Sequence, residues 1–358
     1  MSQIRFSVIG AGAGGTLMAV ILKSKGYYVS ISDKDTGKIA AIKAAGILRA
    51  TGKTEAEARP DLITADNAEC IKDTDVIMVC TTTDAHADVA AAIADTVKDE
   101  QIVILNPGHV GGVLNFKTAL KNAGCKADPA VCEASDMMFA CRTVEPGHTF
   151  HSGVKARIKL ASVPSDKAYK AAELLKDIFP CYVPVESVLM TGFGGGGGML
   201  HSIPCTLNIN KIEMKQQFEY YIEGLTPAVC RVIEKADAER VAVCRALGIE
   251  AEPLLQHLKN VYGLKPDDLY EAIQSCEPYR GIKSPMDTNH RFMQEDTLSD
   301  LVPTASFGHM LGVPVPTIDM IIELESIMLG KDFKAEGRTV EKLGLEGRTP
   351  EEIRELVK

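Results

Sequence analysis

Apolar residues alternate at Ile4, Phe6 and Val8, then give way to the turn Gly10-Ala11-Gly12-Ala13-Gly14-Gly15. A period of two places one set of side chains on one face of a strand. A helix-like stretch follows to Lys25 and is closed by Gly26. A second short run, Tyr28–Ser32, ends at Asp33. Val76-Ile77-Met78-Val79-Cys80 and Ile102-Val103-Ile104-Leu105 are short, rich in β-branched residues and unbroken by polar positions. Continuous runs of this length fit strands covered on both faces of a parallel sheet. Asn106-Pro107-Gly108 and Gly111-Gly112 mark the turn after the last of them. The βαβαβ order predicts an α/β Rossmann-like domain built on a doubly wound parallel sheet.

After Gly192–Gly198 the pattern changes and strand-like runs disappear. Thr226-Pro227 reads as an N-cap followed by proline in the first helical position, with Gly248 closing that helix. Thr349-Pro350-Glu351-Glu352 reads as a capping box opening a last short helix. The second half is therefore expected to be an all-α helical domain. The boundary is set at 1–190 for the dinucleotide-binding part and 191–358 for the helical substrate and catalytic part. A chain of 358 residues exceeds the roughly 250–300 at which a single core stops growing.

Composition narrows the function. Hydrophobic residues make up 46% and charged residues 24%, the balance of a globular protein with a sizeable core. A net charge of −9 argues against a nucleic-acid partner. The start, Met-Ser-Gln-Ile-Arg-Phe, lacks the pattern of a secretory signal. The most apolar stretch, Ile318–Leu329, is interrupted by Asp319, Glu323 and Glu325, so no membrane span is expected. The ten cysteines form no C-x-x-C pair and read as reduced thiols in a cytoplasmic protein. Nothing fixes an oligomeric state, and a homodimer is allowed for.

The first glycine cluster matches G-x-G-x-x-G in its full context, after a strand and before a helix. Gly10 would allow the tight turn, Gly12 the approach of backbone to a pyrophosphate, and Gly15 close helix–strand packing. Asp33 stands at the end of the next strand, where a carboxylate binds a ribose 2′-hydroxyl and repels a 2′-phosphate. NAD is therefore expected over NADP, with Lys34 as a neighbouring cation. The second cluster, Gly192–Gly198, fits the same formula but has no acidic strand end after it. It reads as a permissive hinge leading into Met199-Leu200-His201. His148-Thr149-Phe150-His151 lacks a third ligand and reads as a surface turn, so no metal is expected. His86 is assigned to packing.

Several motifs in order give a more specific signal. Asn106-Pro107-Gly108 with Gly111-Gly112, Ala140-Cys141-Arg142, and His201-Ser202-Ile203-Pro204-Cys205-Thr206-Leu207-Asn208 are three of them. Tyr221-Ile222-Glu223-Gly224-Leu225-Thr226-Pro227 and His290-Arg291-Phe292-Met293-Gln294-Glu295-Asp296, followed by Leu301-Val302-Pro303, are two more. Together they resemble the octopine/nopaline (opine) dehydrogenase family over nearly the whole chain.

That resemblance implies NAD(P)H-dependent reductive condensation of an amino acid with a 2-oxo acid, through an imine that takes a hydride. It makes His201 the catalytic histidine at the meeting of the domains, Asp296 its partner carboxylate, and Arg291 the clamp on a substrate carboxylate. It also places Cys141 near the substrate and Glu133 as a pocket residue. The residue types suit these tasks: histidine titrates near neutrality, a carboxylate fixes its tautomer, and arginine offers a planar fork to a carboxylate. The chain departs from the family at three points. Gly197 stands where the family carries Asn four residues before the histidine, Ser202 stands for Pro just after it, and Met138 stands for Pro before Phe139. Two other readings remain: an amine-independent 2-oxo-acid reductase of the ketopantoate reductase type, and a non-catalytic NAD(H)-binding sensor.

Overall fold

Each apolar run read in the first half becomes a strand of one sheet. The computed structural model describes residues 3–194 and 196–358. Met1, Ser2 and Gly195 of the second glycine cluster lie outside the described residues. The chain divides into two compact units, Met1–Thr191 with Leu356–Lys358, and Gly192–Glu355.

In the first unit β1 (Arg5–Ile9), β2 (Tyr28–Ser32), β6 (Val76–Val79), β7 (Ile102–Leu105) and β8 (Ala130–Ala134) join β5 (Leu62–Thr64), β11 (Ile158–Ser162) and β12 (Tyr182–Pro184). Their order is β12-β11-β8-β7-β6-β1-β2-β5. The chain moves from β1 to β2 on one side and returns to β6 on the other. The carboxyl ends of β1 and β6 thus flank the switch point, where doubly wound sheets bind ligands.

Two features depart from the sequence reading. The sheet is parallel except where β11 runs antiparallel to β8. Between them the chain makes no helical crossover, which a parallel return needs; it makes the hairpin of β9 (Phe139–Glu145) and β10 (His148–Val154) instead. That hairpin belongs to a second sheet of order β4-β3-β10-β9, with β3 (Leu48–Gly52) and β4 (Ala56–Ala58). His148 and His151 therefore lie within a strand and not in a surface turn. His148 Nε2 is 3.1 Å from Thr51 Oγ1, and His151 Nδ1 is 2.8 Å from Thr54 Oγ1.

The helix Ala13–Ser24 packs against strands of both sheets. Its Gly15, Thr16, Leu17, Met18, Ala19, Val20 and Leu22 are all buried. A helix apolar on most of its circumference needs cover on two sides, and the second sheet supplies it. His86 is fully buried with its ring edge-on to Phe116.

The second unit has helices and one isolated bridge, Glu219 with Lys283, among its described residues. Its long helix, Pro227–Ala246, is capped by the Thr226 hydroxyl, which accepts from Val229 N–H, and closes before Gly248 at φ +71°. The final helix, Pro350–Leu356, carries the expected box: Glu352 accepts from Thr349 N–H at 2.8 Å, and Thr349 from Glu352 N–H at 3.3 Å. Both oxygens of the buried Glu239 accept from the first N–H groups of the helix Pro316–Leu329, at Thr317 and Ile318. A carboxylate at a helix N-terminus satisfies donors that have no partner in the helix. No helix among the described residues is long and apolar enough to cross a membrane.

Candidate functional site

The N-terminal turn meets distinct demands at its three glycines. Gly10 sits at φ +103°, and a Cβ there would lie 2.9 Å from the Cys80 carbonyl carbon. At Gly15 a Cβ would fall 1.8 Å from the Gly10 oxygen. Gly12 has an ordinary φ of −77° and nothing within 4 Å of its Cβ position. Two glycines are thus required by the protein's own packing, while the third faces open space at the N-terminus of the helix Ala13–Ser24. Unpaired N–H groups in a first helical turn attract a phosphate.

Asp33 follows β2 and is nearly buried. Its Oδ2 accepts from Ala11 N–H at 2.8 Å and from Lys38 Nζ at 2.7 Å, and its Oδ1 from Asp35 N–H at 3.0 Å. The sequence reading named Lys34 as the nearby cation; the one on the carboxylate is Lys38.

In the helical unit the chain brings His201 and Asp296 together across 95 positions, with His201 Nδ1 2.6 Å from Asp296 Oδ2. Asp296 is buried and His201 mostly so. An acceptor at Nδ1 places the proton there, so Nε2 carries the lone pair in the neutral ring. Tyr221 O–H reaches Nε2 at 3.0 Å and donates to it. Burial holds the Tyr221 phenol above its ordinary pKa, outweighing the Arg291 charge, so it remains a donor at neutral pH.

Aromatic faces fix the ring. Phe292 stacks on His201 at 4.0 Å and 6°, and Tyr279 stacks on Tyr221 at 4.0 Å and 11°. Tyr220 O–H lies 2.8 Å from the His201 carbonyl oxygen and fixes the backbone. Sequence reasoning quoted the motif that opens at Tyr221 but gave it no role, and it missed the stacking of Phe292 and Tyr279. A motif does not reveal which of two adjacent tyrosines faces the imidazole.

Arg291 opens the helix Arg291–Asp296. It is half exposed, and its Nη1 donates to the buried Glu295 at 3.1 Å. Burial would lower its pKa, but the Glu295 and Asp296 carboxylates outweigh that and raise it. The guanidinium carbon lies 4.8 Å from the Phe292 ring centre, on the residue that stacks on His201. The helix then widens into a single π turn, Thr297–Leu301. Pro303 has no N–H to give and crowds the carbonyl four residues back, a recognised cause of such irregularity.

The glycine run before His201 is more constrained than a permissive hinge. Gly196 takes φ +65°, and a Cβ at Gly198 would meet Asp300 Oδ2 at 2.4 Å. Arg240, paired with Asp237 at 2.7 Å, donates to the Phe193 carbonyl at 2.6 Å. At Gly197, where the resemblance expects Asn, a Cβ would meet nothing within 4 Å.

Two predicted residues, Cys141 and Glu133, belong to the first unit. Cys141 is half buried in β9, opposite His151. Glu133 is fully buried at the end of β8. It accepts from Val113 N–H at 2.7 Å and from Thr191 O–H.

Two family models match different parts of the chain. Residues 184–329 match the family described as NAD/NADP octopine/nopaline dehydrogenase, alpha-helical domain. Residues 6–165 match ketopantoate reductase PanE/ApbA. The chain is 38% identical to an opine dehydrogenase of Arthrobacter sp. (strain 1C), covering 98% of each chain. It is 24% identical to a vitopine synthase of Allorhizobium ampelinum (strain ATCC BAA-846 / DSM 112012 / S4), covering 87% of this chain and 86% of that one. An octopine dehydrogenase structure with NADH and L-arginine shares the fold at a TM-score of 0.78 and 19% identity, covering 98% of both chains. A yersinopine dehydrogenase with NADP+ does so at 0.76 and 17%, covering 99% of this chain and 97% of that one. With 38% identity along nearly its whole length to a curated opine dehydrogenase, the chain belongs to the octopine/nopaline dehydrogenase family of NAD(P)-dependent oxidoreductases.

Proposed function

We propose that the protein is an opine-type dehydrogenase that joins the amine of an amino acid to the carbonyl of a 2-oxo acid and reduces the resulting imine. The observation that carries this reading is His201, held at Nδ1 by Asp296 and presented at Nε2 through a hydrogen bond from Tyr221. A substrate proton can replace the Tyr221 O–H at that lone pair. Nε2 carries one proton from the attacking amine to the carbonyl oxygen, giving the carbinolamine, and then a second from the same nitrogen to that oxygen as it leaves as water. The buried Asp296 carboxylate stabilises the imidazolium in between. Arg291 offers the donors not engaged by Glu295 to a substrate carboxylate. Cys141 is assigned to the substrate's surroundings on the family resemblance. The same residues serve both directions, so the reaction is reversible.

Gly10, Gly12, Gly15 and Asp33 fit a dinucleotide: Gly12 leaves room for the pyrophosphate, and Asp33 stands at the end of β2 for the ribose. Bound nicotinamide cofactor supplies the hydride. NAD is the preferred form.

The test is loss of NADH absorbance across a matrix of amino acids and 2-oxo acids, with the product identified by mass spectrometry. The expected result is oxidation that needs both substrates and yields an N-(carboxyalkyl) amino acid. Turnover unchanged when the amino acid is omitted would instead establish direct 2-oxo-acid reduction. NADH binding without oxidation by any pair would establish a sensor.

A further inference from the structure

Two buried carboxylates of the helical unit have donors on both oxygens. Glu239 accepts from Thr317 and Ile318. Asp237 accepts from Arg240 at Oδ1 and from Leu254 N–H at Oδ2. Glu325, fully buried in the helix Pro316–Leu329, has Oε2 2.6 Å from Thr297 Oγ1, and no hydrogen-bond partner at Oε1. An ionised carboxylate with one oxygen orphaned in an apolar site is costly; a neutral acid in the same place is a donor with a spare carbonyl.

Thr297 Oγ1 also lies 2.8 Å from Ser202 Oγ. Ser202 follows His201 and Thr297 follows Asp296, so this chain of hydroxyls runs one residue behind the acid–base pair on both of its segments. A single hydroxyl proton serves only one neighbour. When Glu325 is protonated, its O–H donates to Thr297 and Thr297 donates to Ser202. When it is ionised, Thr297 must donate to Glu325 and the Ser202 hydroxyl must turn round.

We propose that Glu325 is a positioning residue for the His201–Asp296 pair, a buried neutral acid that holds the Thr297–Ser202 hydroxyl chain in one direction and releases it on ionising. The proposal rests on the acid–base reading of His201. The groups facing Glu325 are Asp296 from the helix Arg291–Asp296, and Cys205 and Thr206 from the helix Ser202–Leu207. Burial pushes the Glu325 carboxyl up to about 8; the Thr297 and Thr206 hydroxyls pull it down, and the Asp296 charge adds to the rise. Burial likewise pushes Cys205 up to about 12, so that thiol stays neutral where Glu325 titrates.

Glu325→Gln keeps the neutral, donating form, and Glu325→Leu removes the chain's anchor. Leucine at 325 should lower kcat at least about tenfold with KM within about threefold, and glutamine should restore most of that loss. The kcat–pH profile of the unmodified protein should show an ionisation near pH 8 that Glu325→Gln lacks. An activity-independent readout follows the imidazole of His201 by NMR. Its shift should carry a second inflection near pH 8 in the unmodified protein and none in Glu325→Gln. Superimposable His201 titrations in the two proteins overturn the proposal, whatever the fate of Glu325→Leu. An inflection that disappears in Glu325→Gln, in a protein that oxidises NADH with no substrate pair, supports the positioning role and counts against the opine reading alone.

Discussion

Lys38 changes what Asp33 can do. A free carboxylate at the end of β2 repels a 2′-phosphate, but one carrying an ammonium group at 2.7 Å repels it less. Asp33→Ala should therefore narrow the NADH/NADPH ratio of kcat/KM by about tenfold. Lys38→Met should widen it by about threefold, an effect that shrinks as salt is added. Both are read from kcat/KM with the two cofactors, and unchanged ratios would remove Asp33 from the cofactor site. The imidazole side separates in the same way. Asp296→Asn should lower kcat by about 10²–10⁴ while leaving NADH affinity intact. Tyr221→Phe, which removes only the donor at Nε2, should cost about tenfold or less. Steady-state rates with parallel NADH titration check both. His201 and Asp296 were legible through a resemblance, because each sits inside a motif. Glu325 was not: in the sequence it is a charge interrupting an apolar run, one of three, and a helical pattern gives charges to solvent by default. It is buried because Thr297, from a distant segment, meets it.

Among the elements, the strands of the main sheet were readable because their apolar runs are short and unbroken. β6 and β7 begin where the runs begin. The second sheet was hidden. Its strands mix polar and apolar positions, as in Arg142-Thr143-Val144-Glu145, and their pairing depends on β3 meeting β10 about a hundred residues away. The π turn after Asp296 was equally silent, since Pro303 shows where a helical ladder is disturbed but not how. Where backbone approaches backbone, the turn glycines can be told apart. Gly15→Ala drives a Cβ into the Gly10 carbonyl and should destabilise the protein by about 3 kcal/mol or more. Gly12→Ala meets nothing and has a φ that any residue adopts. It should melt within about 2 °C of the unmodified protein while weakening NADH binding about tenfold or more. Thermal melts beside fluorescence titration with NADH distinguish the two, and equal stability losses would refute the division of labour.

At the scale of the molecule, length and texture foretold an α/β part followed by a helical one, but stability against pH depends on groups that only burial identifies. Glu325 has a native pKa near 8 against an ordinary value of 4.5, so between those values the folded chain holds a proton that the unfolded chain has released. Stability then falls as pH rises through that window. His151 and His290 act in the opposite sense below pH 6.5. Burial holds both below the ordinary value, so the unfolded chain binds more protons and stability rises with pH. Above pH 9 the buried thiols of Cys80, Cys132, Cys205, Cys230 and Cys244, pushed up to about 12, again keep protons that the unfolded chain loses. The opposing slopes cancel in part below pH 6.5, and from there to pH 8 Glu325 provides the decline. One pKa unit is worth about 1.4 kcal/mol, so the fall over that interval is about 2 kcal/mol, or a few degrees in Tm. Glu325→Gln should flatten the Tm profile between pH 6.5 and 8 and leave the drop above pH 9 unchanged. Calorimetry across that range checks it: parallel profiles for the two proteins would mean that Glu325 is already ionised at neutral pH and that its orphaned oxygen is satisfied in another way.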